Sequence, residues 1–320
     1  MNFSELLTNA VYAKGTPVLV GLDPKFDLLP EAMRSGIDSN DIWRIPAVLK
    51  RYCCEVIDVV ASLVPAVKLQ VACFERYGSY GMIALDNVIK YAAEKGLITI
   101  FDGKRGDIGS TAELYAAGIL GKNSAWGADA MTVSPYMGDD SIEPFVKTAT
   151  EQNAGIFVLV KTSNKGGAMF QDLKSNRKTI YQHVAQYVQE LAASTIDKKT
   201  NTKTGIEANA SKYGAVGAVV GATWSKDLAM LREILKSAWL LVPGFGSQGA
   251  TAEDVAAAFD ENGLGAIINN SRGLLYAYKN EPYKSKYNES KWETALESAT
   301  KDMIEQLKNK TTARNLIKTK

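Results

Sequence analysis

Eight short apolar segments, each followed by a longer stretch with helical periodicity, constrain the fold of this 320-residue chain more than any other feature. Most of the eight are apolar at nearly every position, which is typical of parallel strands covered on both faces. The stretches between them are long enough for right-handed helical crossovers. The pattern predicts a (β/α)8 TIM barrel, an α/β fold, rather than an open doubly wound sheet. The predicted strands are 17–23, 66–70, 97–104, 130–134, 155–163, 215–223, 240–246 and 266–271.

The whole chain, 1–320, is predicted to form a single domain, because 46% of its residues are hydrophobic and one barrel can bury them. The barrel core is expected at about 17–278, with a C-terminal helix and tail at about 279–320. Polar insertions interrupt the second half of the barrel near 164–178 and 194–212. The second insertion has few large apolar residues, so we expect a surface loop there. The basic end of the tail is expected to be solvated.

The balance of charge excludes some classes of function. The chain has 37 basic and 35 acidic residues, a net charge of +2, which gives no broad cationic field for nucleic acid. No apolar run approaches the roughly 20 residues that span a bilayer. The N-terminus lacks the basic start and long apolar stretch of a secretion signal, so we expect a cytoplasmic protein without a membrane partner. A small molecule is the expected ligand.

Two carboxylates and an ammonium group follow the apolar run 97–101 of the third predicted strand, in the sequence Asp102-Gly-Lys104-Arg-Gly-Asp107. Side chains two apart in a strand share a face, so Asp102 and Lys104 should project together from the C-terminal end of the strand. Parallel barrels keep their active sites at that end. Asp107 lies beyond the strand. Ser110 and Glu113 have the spacing of a capping box that would begin the next helix.

Charged residues in the first two predicted strands are expected to join this cluster. Asp23 ends the first strand, and Lys68 lies within the second. A buried charge without a partner costs several kcal/mol, whereas alternating lysines and carboxylates let each group stay ionised. The alternative is a set of ion pairs that only closes the mouth of the barrel. Several charges that converge on the catalytic face favour a function instead.

A candidate phosphate site follows the last two predicted strands. Residues 244–249 read Gly-Phe-Gly-Ser-Gln-Gly, and Arg272 follows the eighth strand. Glycines let backbone N–H groups approach a phosphate closely, and the planar fork of Arg272 fits phosphate oxygens. These two loops are the usual phosphate site of TIM barrels. Tight turns and a surface ion pair are the structural alternatives.

Other chemistries fit the sequence less well. The glycines match the G-x-G-x-x-G motif of dinucleotide-binding oxidoreductases, but Asn269 and Asn270 stand where that fold needs an acidic residue. A Ser-His-Asp hydrolase would depend on the sole histidine, His183, which lies in a predicted helix. One histidine with scattered cysteines also argues against zinc. The carboxylates remain candidate ligands for magnesium, although the interleaved lysines already balance their charge.

The chain resembles the orotidine 5′-phosphate decarboxylase family in its longer bacterial form, because residues 102–111 match the signature D-x-K-x-x-D-I-x-x-T. Part of that signature also occurs in metal-dependent phosphosugar decarboxylases and aldolases of the same barrel superfamily, which remain an alternative. A non-catalytic phosphate-binding protein is another. Supporting matches between 17 and about 278 are Gly-Leu-Asp-Pro at 21–24, Lys68, Thr-Ser-Asn at 162–164, Pro-Gly-Phe-Gly at 243–246, Gln248, and Ser-Arg at 271–272.

The resemblance implies decarboxylation of orotidine 5′-monophosphate to UMP, a step of pyrimidine synthesis, without a cofactor or a metal. Loss of CO2 would leave a carbanion on C6 in the plane of the pyrimidine ring. Lys104, kept charged by Asp102 and Asp107, would oppose that charge and then protonate C6. Asp102 would lie near the departing carboxylate, while Lys68 would orient Asp102 and contact the ribose.

The resemblance also implies a homodimer with shared sites, in which Asp107, Ile108 and Thr111 cross the interface into the partner's site. Ser163 is expected to contact the pyrimidine, with Thr162 and Asn164 as alternatives. The other substrate contacts implied are Asp23 with the ribose hydroxyls, and Gln248 and Arg272 with the phosphate.

Overall fold

A closed barrel of eight parallel strands forms the centre of the computed structural model, which describes residues 1–196, 212–246 and 248–316. Each barrel strand pairs with the next in chain order, and the last pairs with the first. The predicted (β/α)8 TIM barrel is therefore confirmed. The strands of the described residues are β1 Val18–Leu22, β2 Ala66–Gln70, β3 Ile98–Arg105, β4 Ala130–Val133, β5 Gly155–Lys161, the hairpin of β6 Lys174–Ser175 and β7 Lys178–Thr179, β8 Val216–Val220, β9 Leu240–Pro243 and β10 Ala266–Asn270.

Helices cover the outside of the barrel because each presents an apolar stripe to it. The helix at Ile45–Val60, for example, buries Leu49, Tyr52 and Val56, which recur every three to four residues. No described helix is both long and apolar enough to cross a membrane. The α-helices are α1 Phe3–Lys14, α2 Glu31–Arg34, α3 Ile45–Val60, α4 Ala72–Glu75, α5 Gly78–Glu94, α6 Gly109–Ile119, α7 Glu143–Glu151, α8 Ala168–Gln171, α9 Ile180–Ser194, α10 Ser225–Ile234, α11 Ala252–Val255, α12 Arg272–Leu275, α13 Tyr283–Lys286 and α14 Trp292–Lys310.

Large side chains fill the barrel interior toward the N-terminal ends of the strands. These side chains form an inner cluster that includes Phe157, Trp239 and Ile267, together with Phe3 of α1. The rings of Phe3 and Phe157 meet edge to face, with 6.0 Å between their centroids. The barrel is therefore filled with apolar side chains at the N-terminal ends of its strands, and polar side chains lie at the C-terminal ends of its strands.

Three predicted strands extend too far toward that end. β5 stops at Lys161 rather than at 163, β8 at Val220 rather than at 223, and β9 at Pro243 rather than at 246. The residues beyond these ends exchange ladder hydrogen bonds for bonds between loops; the Thr223 hydroxyl, for example, donates to the Ser163 carbonyl oxygen at 3.0 Å. The remaining predicted bounds of the barrel strands lie within one residue of the observed ones.

The predicted capping box after β3 is wrong. Ile108 occupies the N-cap position with extended backbone angles, φ −109° and ψ 154°, and no side chain caps the helix there. α6 therefore begins at Gly109, and Ser110 already lies in its first turn. A hydroxyl inside the first turn cannot take the capping position, so the spacing of Ser110 and Glu113 has no structural consequence.

The two predicted insertions and the tail have different outcomes. The first insertion, 164–178, contains α8 and the β6–β7 hairpin. The predicted loop at 194–212 falls mostly on 197–211, outside the described residues. The expectation of a solvated C-terminal end is wrong for Ala313 and Leu316, which are 3% and 6% exposed and belong to the same apolar cluster as Phe3. Residues 317–320 lie outside the described residues.

Candidate active site

A polar cavity of about 330 Å³ lies at the C-terminal ends of the barrel strands. It gathers side chains from strands at the start, middle and end of the chain, as closure of the barrel requires. The residues that the sequence predicted and that line this cavity are Asp23, Lys68, Asp102, Lys104, Ser163, Gln248 and Arg272.

Asp102 is the centre of a charge network in this cavity. Its Oδ2 accepts a hydrogen bond from Lys68 Nζ at 2.6 Å, and its Oδ1 accepts one from Lys104 Nζ at 2.8 Å. Asp102 is 5% exposed and Lys68 is 4% exposed, whereas the Lys104 side chain is 45% exposed. Each carboxylate oxygen thus has its own ammonium group, and Lys104 is the member of the network that faces outward.

Two further residues hold the Asp102 carboxylate in place, and sequence reasoning missed both. The Thr132 hydroxyl donates to Asp102 Oδ1 at 2.9 Å, and the Gln70 side-chain amide donates to Asp102 Oδ2 at 3.2 Å. With four donors, the carboxylate can neither rotate freely nor lose its charge cheaply. Gln70 stands two residues after Lys68 in the same strand, and Thr132 is the one polar residue of β4. Those positions were the available signal.

The backbone at Lys104 is strained in a way that serves the network. Its φ of +46° is left-handed, which is unusual for a residue with a side chain. The register between β3 and β4 shifts between Phe101 and Arg105, so Lys104 lies in an irregular part of the strand. The Lys104 N–H donates to the Thr132 hydroxyl oxygen at 2.9 Å, which secures this conformation. In this conformation the Lys104 ammonium group reaches Asp102 Oδ1.

The electrostatics of the buried pair favour its ionised form. Burial alone would raise the pKa of Asp102, but attraction to Lys68 and Lys104, with their hydrogen bonds, holds that pKa well below its ordinary value. Burial likewise opposes the charge on Lys68, yet the attraction of Asp102 and Asp23 raises the pKa of Lys68 above its ordinary value. Both groups therefore remain charged at neutral pH.

Two buried oxygens in the cavity accept no hydrogen bond from the described residues. They are Oδ1 of Asp23 and Oδ1 of Asn269. Asp23 Oδ1 lies 3.8 Å from Lys68 Nζ, which is an ion pair without a hydrogen bond. Buried acceptors are nearly always satisfied, so both oxygens are suited to accept hydrogen bonds from hydroxyl or N–H groups of a ligand. Sequence reasoning used Asn269 only against dinucleotide binding.

The structure does not bring Asp107, Ile108 and Thr111 into the cavity of their own chain. None of the three is among the residues that line it. The Asp107 carboxylate accepts a hydrogen bond from the neighbouring Ile108 N–H at 2.9 Å and forms no ion pair with a described residue. Ile108 is 57% exposed, and Thr111 is exposed on the first turn of α6. These side chains are accessible to another chain.

The loops after β9 and β10 form one wall of the cavity. Gly244 and Gly246 have φ of +108° and +68°, which side chains rarely tolerate, so the turn requires glycine. Gln248 and Arg272 line the cavity beside this turn. Within the described ranges no carboxylate pairs with Arg272, which contradicts the alternative of a surface ion pair. The guanidinium group is therefore available to an anion.

Thr162, Ser163 and Asn164 all reach the cavity, but their side chains are not equivalent. The Gln171 side chain binds Thr162 twice: its Oε1 accepts from the Thr162 N–H at 3.0 Å, and its Nε2 donates to the Thr162 hydroxyl oxygen at 2.8 Å. The Ser163 hydroxyl makes no hydrogen bond to a described residue. Of the two hydroxyls, that of Ser163 is the one free to meet a ligand.

The donor set of the described residues contains no group of three or more His, Cys, Asp or Glu side chains that could hold a metal ion. The cavity carboxylates Asp23 and Asp102 are instead interleaved with Lys68 and Lys104. Ammonium groups at those distances compete with a cation for the same oxygens.

Comparison with known proteins gives consistent matches along the chain. The model of the Orotidine 5′-phosphate decarboxylase / HUMPS family matches residues 17–287. Orotidine 5′-phosphate decarboxylase of Rhodopirellula baltica is 48% identical over 312 residues, which are 96% of this chain and 99% of that protein. The enzyme of the same name from Caldicellulosiruptor saccharolyticus is 37% identical over 305 residues, 91% of this chain and 96% of its own. The structure of Leishmania donovani OMP decarboxylase has a TM-score of 0.71 at 29% identity, and covers 97% of this chain and 98% of its own.

Proposed function

The chain belongs to the orotidine 5′-phosphate decarboxylase / HUMPS family, and from that premise we propose that it is a carboxy-lyase that converts orotidine 5′-monophosphate to UMP in pyrimidine synthesis. The observation that carries the proposal is the Lys68–Asp102–Lys104 network at the mouth of the barrel. It presents a fixed cation that can oppose the charge left on carbon when CO2 departs, beside a fixed anion that can repel the departing carboxylate. A non-catalytic phosphate-binding protein would have no use for that pair.

Lys104 acts on the charge that the reaction creates. The bond between C6 and the carboxylate carbon breaks, CO2 leaves, and the electron pair stays on C6 in the plane of the ring, where resonance cannot spread it. The Lys104 ammonium group opposes this charge and donates a proton to C6, which completes UMP. The neutral amine then recovers a proton from solvent, which reaches it because the side chain is 45% exposed. The proposal needs no cofactor.

Asp102 has two parts in this scheme. It fixes the Lys104 ammonium group through the 2.8 Å hydrogen bond, and it remains an anion because its pKa is held low. We place the substrate carboxylate beside it, so that repulsion between the two anions is relieved when CO2 departs. Lys68 orients Asp102 from the other side, and its 3.8 Å approach to Asp23 joins the network to the ribose site.

The rest of the cavity fits the rest of a nucleotide. Oδ1 of Asp23, which accepts no hydrogen bond from the described residues, is assigned to the ribose hydroxyls, and the Ser163 hydroxyl to the edge of the pyrimidine. Gln248 and Arg272 are assigned to the phosphate, which a guanidinium fork binds well. Binding of this remote, unreactive group supplies energy that organises the reacting centre.

We assign Asp107, Ile108 and Thr111 to the active site of a partner subunit in a homodimer. The support is their position: they directly follow the network in sequence, yet none lines the cavity of its own chain. α6 also exposes two large apolar side chains, since Leu114 is 74% exposed and Tyr115 is 38% exposed. An exposed apolar surface next to a charged loop is suited to a protein interface. In the dimer, Asp107 would approach the partner's network and help to keep its lysine charged.

The proposed function is tested by adding orotidine 5′-monophosphate to chelator-treated protein and following its conversion to UMP by ultraviolet absorbance. We expect turnover that is unaffected by the chelator. Folded, dimeric protein without turnover would contradict the assignment. Turnover that appears only when a divalent cation is restored would assign the metal-dependent chemistry of the barrel superfamily instead.

A further inference from the structure

The insertion at 164–178 is fastened to the end of β5 directly beside the residue assigned to the pyrimidine. We propose that Gln171 and Asp172 of this insertion are positioning residues that set Ser163 for recognition of the base. The inference rests on the proposed function, because it concerns which part of the nucleotide Ser163 meets. It is carried by three sets of contacts: those of Gln171, those of Asp172, and those that hold Ser163 from the opposite side.

Gln171 removes Thr162 from competition for the ligand. Its Oε1 accepts a hydrogen bond from the backbone N–H of Thr162 at 3.0 Å, and its Nε2 donates one to the Thr162 hydroxyl oxygen at 2.8 Å. A bidentate arrangement of this kind fixes backbone and side chain at once. Thr162 is thereby bound to the insertion, whereas the hydroxyl of its neighbour Ser163 makes no hydrogen bond to a described residue.

Asp172 secures the same segment one residue earlier. It forms an ion pair with Lys161, whose side chain is only 2% exposed. The Lys161 ammonium group also lies 4.6 Å from the centre of the Tyr181 ring and 5.0 Å from that of Trp224. A lysine this deeply buried needs a charged partner, and Asp172 is the one carboxylate that pairs with it among the described residues. The insertion cannot leave without exposing or stranding that charge.

The loop after β8 holds Ser163 from the other side. The Trp224 indole N–H donates to the Thr162 carbonyl oxygen at 2.9 Å, and the Thr223 hydroxyl donates to the Ser163 carbonyl oxygen at 3.0 Å. The approach is close: a Cβ on Gly221 would lie 2.6 Å from Ser163 Cα. With these two carbonyl oxygens engaged, the Ser163 hydroxyl remains available to a ligand. A hydroxyl can either donate or accept, as the edge of a pyrimidine requires.

The decisive variant is Gln171→Leu, which keeps the size of the side chain and removes both bonds to Thr162. The dissociation constants of UMP and of ribose 5-phosphate are measured by calorimetry for each variant. We expect UMP to bind about tenfold more weakly to Gln171→Leu, from the loss of base recognition, while ribose 5-phosphate binds as to the wild type. Gln171→Glu keeps an oxygen that accepts a hydrogen bond from the Thr162 N–H. Its second oxygen can accept one from the Thr162 hydroxyl group, so this variant should bind UMP with most of the wild-type affinity.

Gln186→Leu is the matched control. It makes the same change and removes a hydrogen bond to the insertion, from Lys178 at 3.1 Å, but not one to Thr162. We expect it to bind both ligands as the wild type does. Asp172→Asn keeps an oxygen that can accept a hydrogen bond from the Lys161 ammonium group, so it supplies a second variant, which should lose about threefold in affinity for UMP alone.

Equal losses for both ligands, or no loss for either, in Gln171→Leu and Asp172→Asn would overturn the inference, because a merely structural insertion gives one of those two results. Wild-type protein that binds neither UMP nor ribose 5-phosphate would instead contradict the proposed function. The two failures are therefore distinguishable.

Discussion

One short sequence motif contains two regions: the lysine and aspartate network at the end of β3, and the segment 107–111 that follows it. They differ in how many of their polar groups find partners within one chain. Asp102 has four hydrogen-bond donors and is 5% exposed. Asp107 has one donor, from the residue next to it, and Ile108 is 57% exposed. Folding of a single chain assembles the first region and leaves the second as a surface.

The difference teaches how one motif can serve two purposes. Where the motif lies on a strand of the barrel, the register between β2 and β3 fixes its partners. Gln70 is opposite Asp102, and Lys68, opposite Ile100, lies two residues earlier on the same strand as Gln70. Where it leaves the strand, the chain supplies no partner, and we assign that role to a second copy. The inner region should therefore control both stability and chemistry, and the outer region chemistry alone.

Lys104→Ala should give the largest effect on activity. It removes the cation assigned to the carbanion and the proton donor at once, so we expect turnover to fall by at least about 10³-fold. The free energy of unfolding should fall by less than in Lys68→Met, because the Lys104 side chain is 45% exposed and water can take its place beside Asp102. Ultraviolet assays with orotidine 5′-monophosphate and urea unfolding measure the two effects. Lys147→Ala, at an exposed lysine of α7, is the matched control and should remain fully active. A Lys104→Ala enzyme with a near-normal rate would remove this lysine from its assigned role.

Asp107→Ala should be inactive although Asp107 contacts nothing in its own cavity. Mixing it with inactive Lys104→Ala chains should restore about a quarter of wild-type activity, because random pairing makes half of the dimers mixed and each mixed dimer has one intact site. Subunit exchange is verified with differently tagged chains. If exchange is demonstrated and the mixture stays inactive, the shared-site arrangement is wrong.

The free energy of unfolding should distinguish the inner region from the outer one, because only the inner region has buried partners to lose. Lys68→Met leaves the buried Asp102 without one of its two cations and should cost about 3 to 5 kcal/mol of unfolding free energy. Asp107→Ala should cost about 1 kcal/mol or less, because Asp107 is only half-buried and forms no ion pair with a described residue. Both are measured by urea unfolding at one protein concentration, since a dimer gains stability by mass action. Similar losses in both variants would contradict the division between inner and outer regions.

The pH dependence of stability should show the smallest effect. The pKa of Asp102 in the folded chain lies below its unfolded value of about 3.9, so its contribution is present above that value and is lost as the pH falls toward the folded pKa. Lys68, whose pKa is raised, contributes below about pH 10.4 and loses that contribution as the pH rises through its folded pKa. In Asp102→Asn the free energy of unfolding should therefore fall less than in the wild type between about pH 5 and pH 3. Equal falls would place the acid sensitivity elsewhere.

Much of the fold could be predicted from the sequence, because buried parallel strands leave continuous apolar runs. The proximity of Asp102 and Lys104 was predicted from the two-residue period of a strand, but the left-handed backbone at Lys104 and the register shift between Phe101 and Arg105 could not be. Thr132 and Gln70 could not be predicted as its partners, since their roles depend on the register between strands. The ion pair between Lys161 and Asp172 was missed for a similar reason. Asp172 lies in an insertion whose sequence has no hydrophobic periodicity from which its fold could be predicted.

Short local signals were the least reliable, because they ignore the backbone around them. The spacing of Ser110 and Glu113 fits a capping box, yet the helix starts at Gly109 and places Ser110 inside it. The polar C-terminal end looked solvated, yet Ala313 and Leu316 are buried against the base of the barrel. In both cases a few tertiary contacts outweigh the local preference.

A crystal structure of the protein bound to UMP tests the central claim most directly. We predict that Lys104 Nζ lies within about 3.5 Å of C6 of the pyrimidine, hydrogen bonded to Asp102, with Asp107 of the partner subunit facing the same ammonium group. A structure in which Lys104 points away from C6, and a metal ion or another side chain takes its place, would contradict the account.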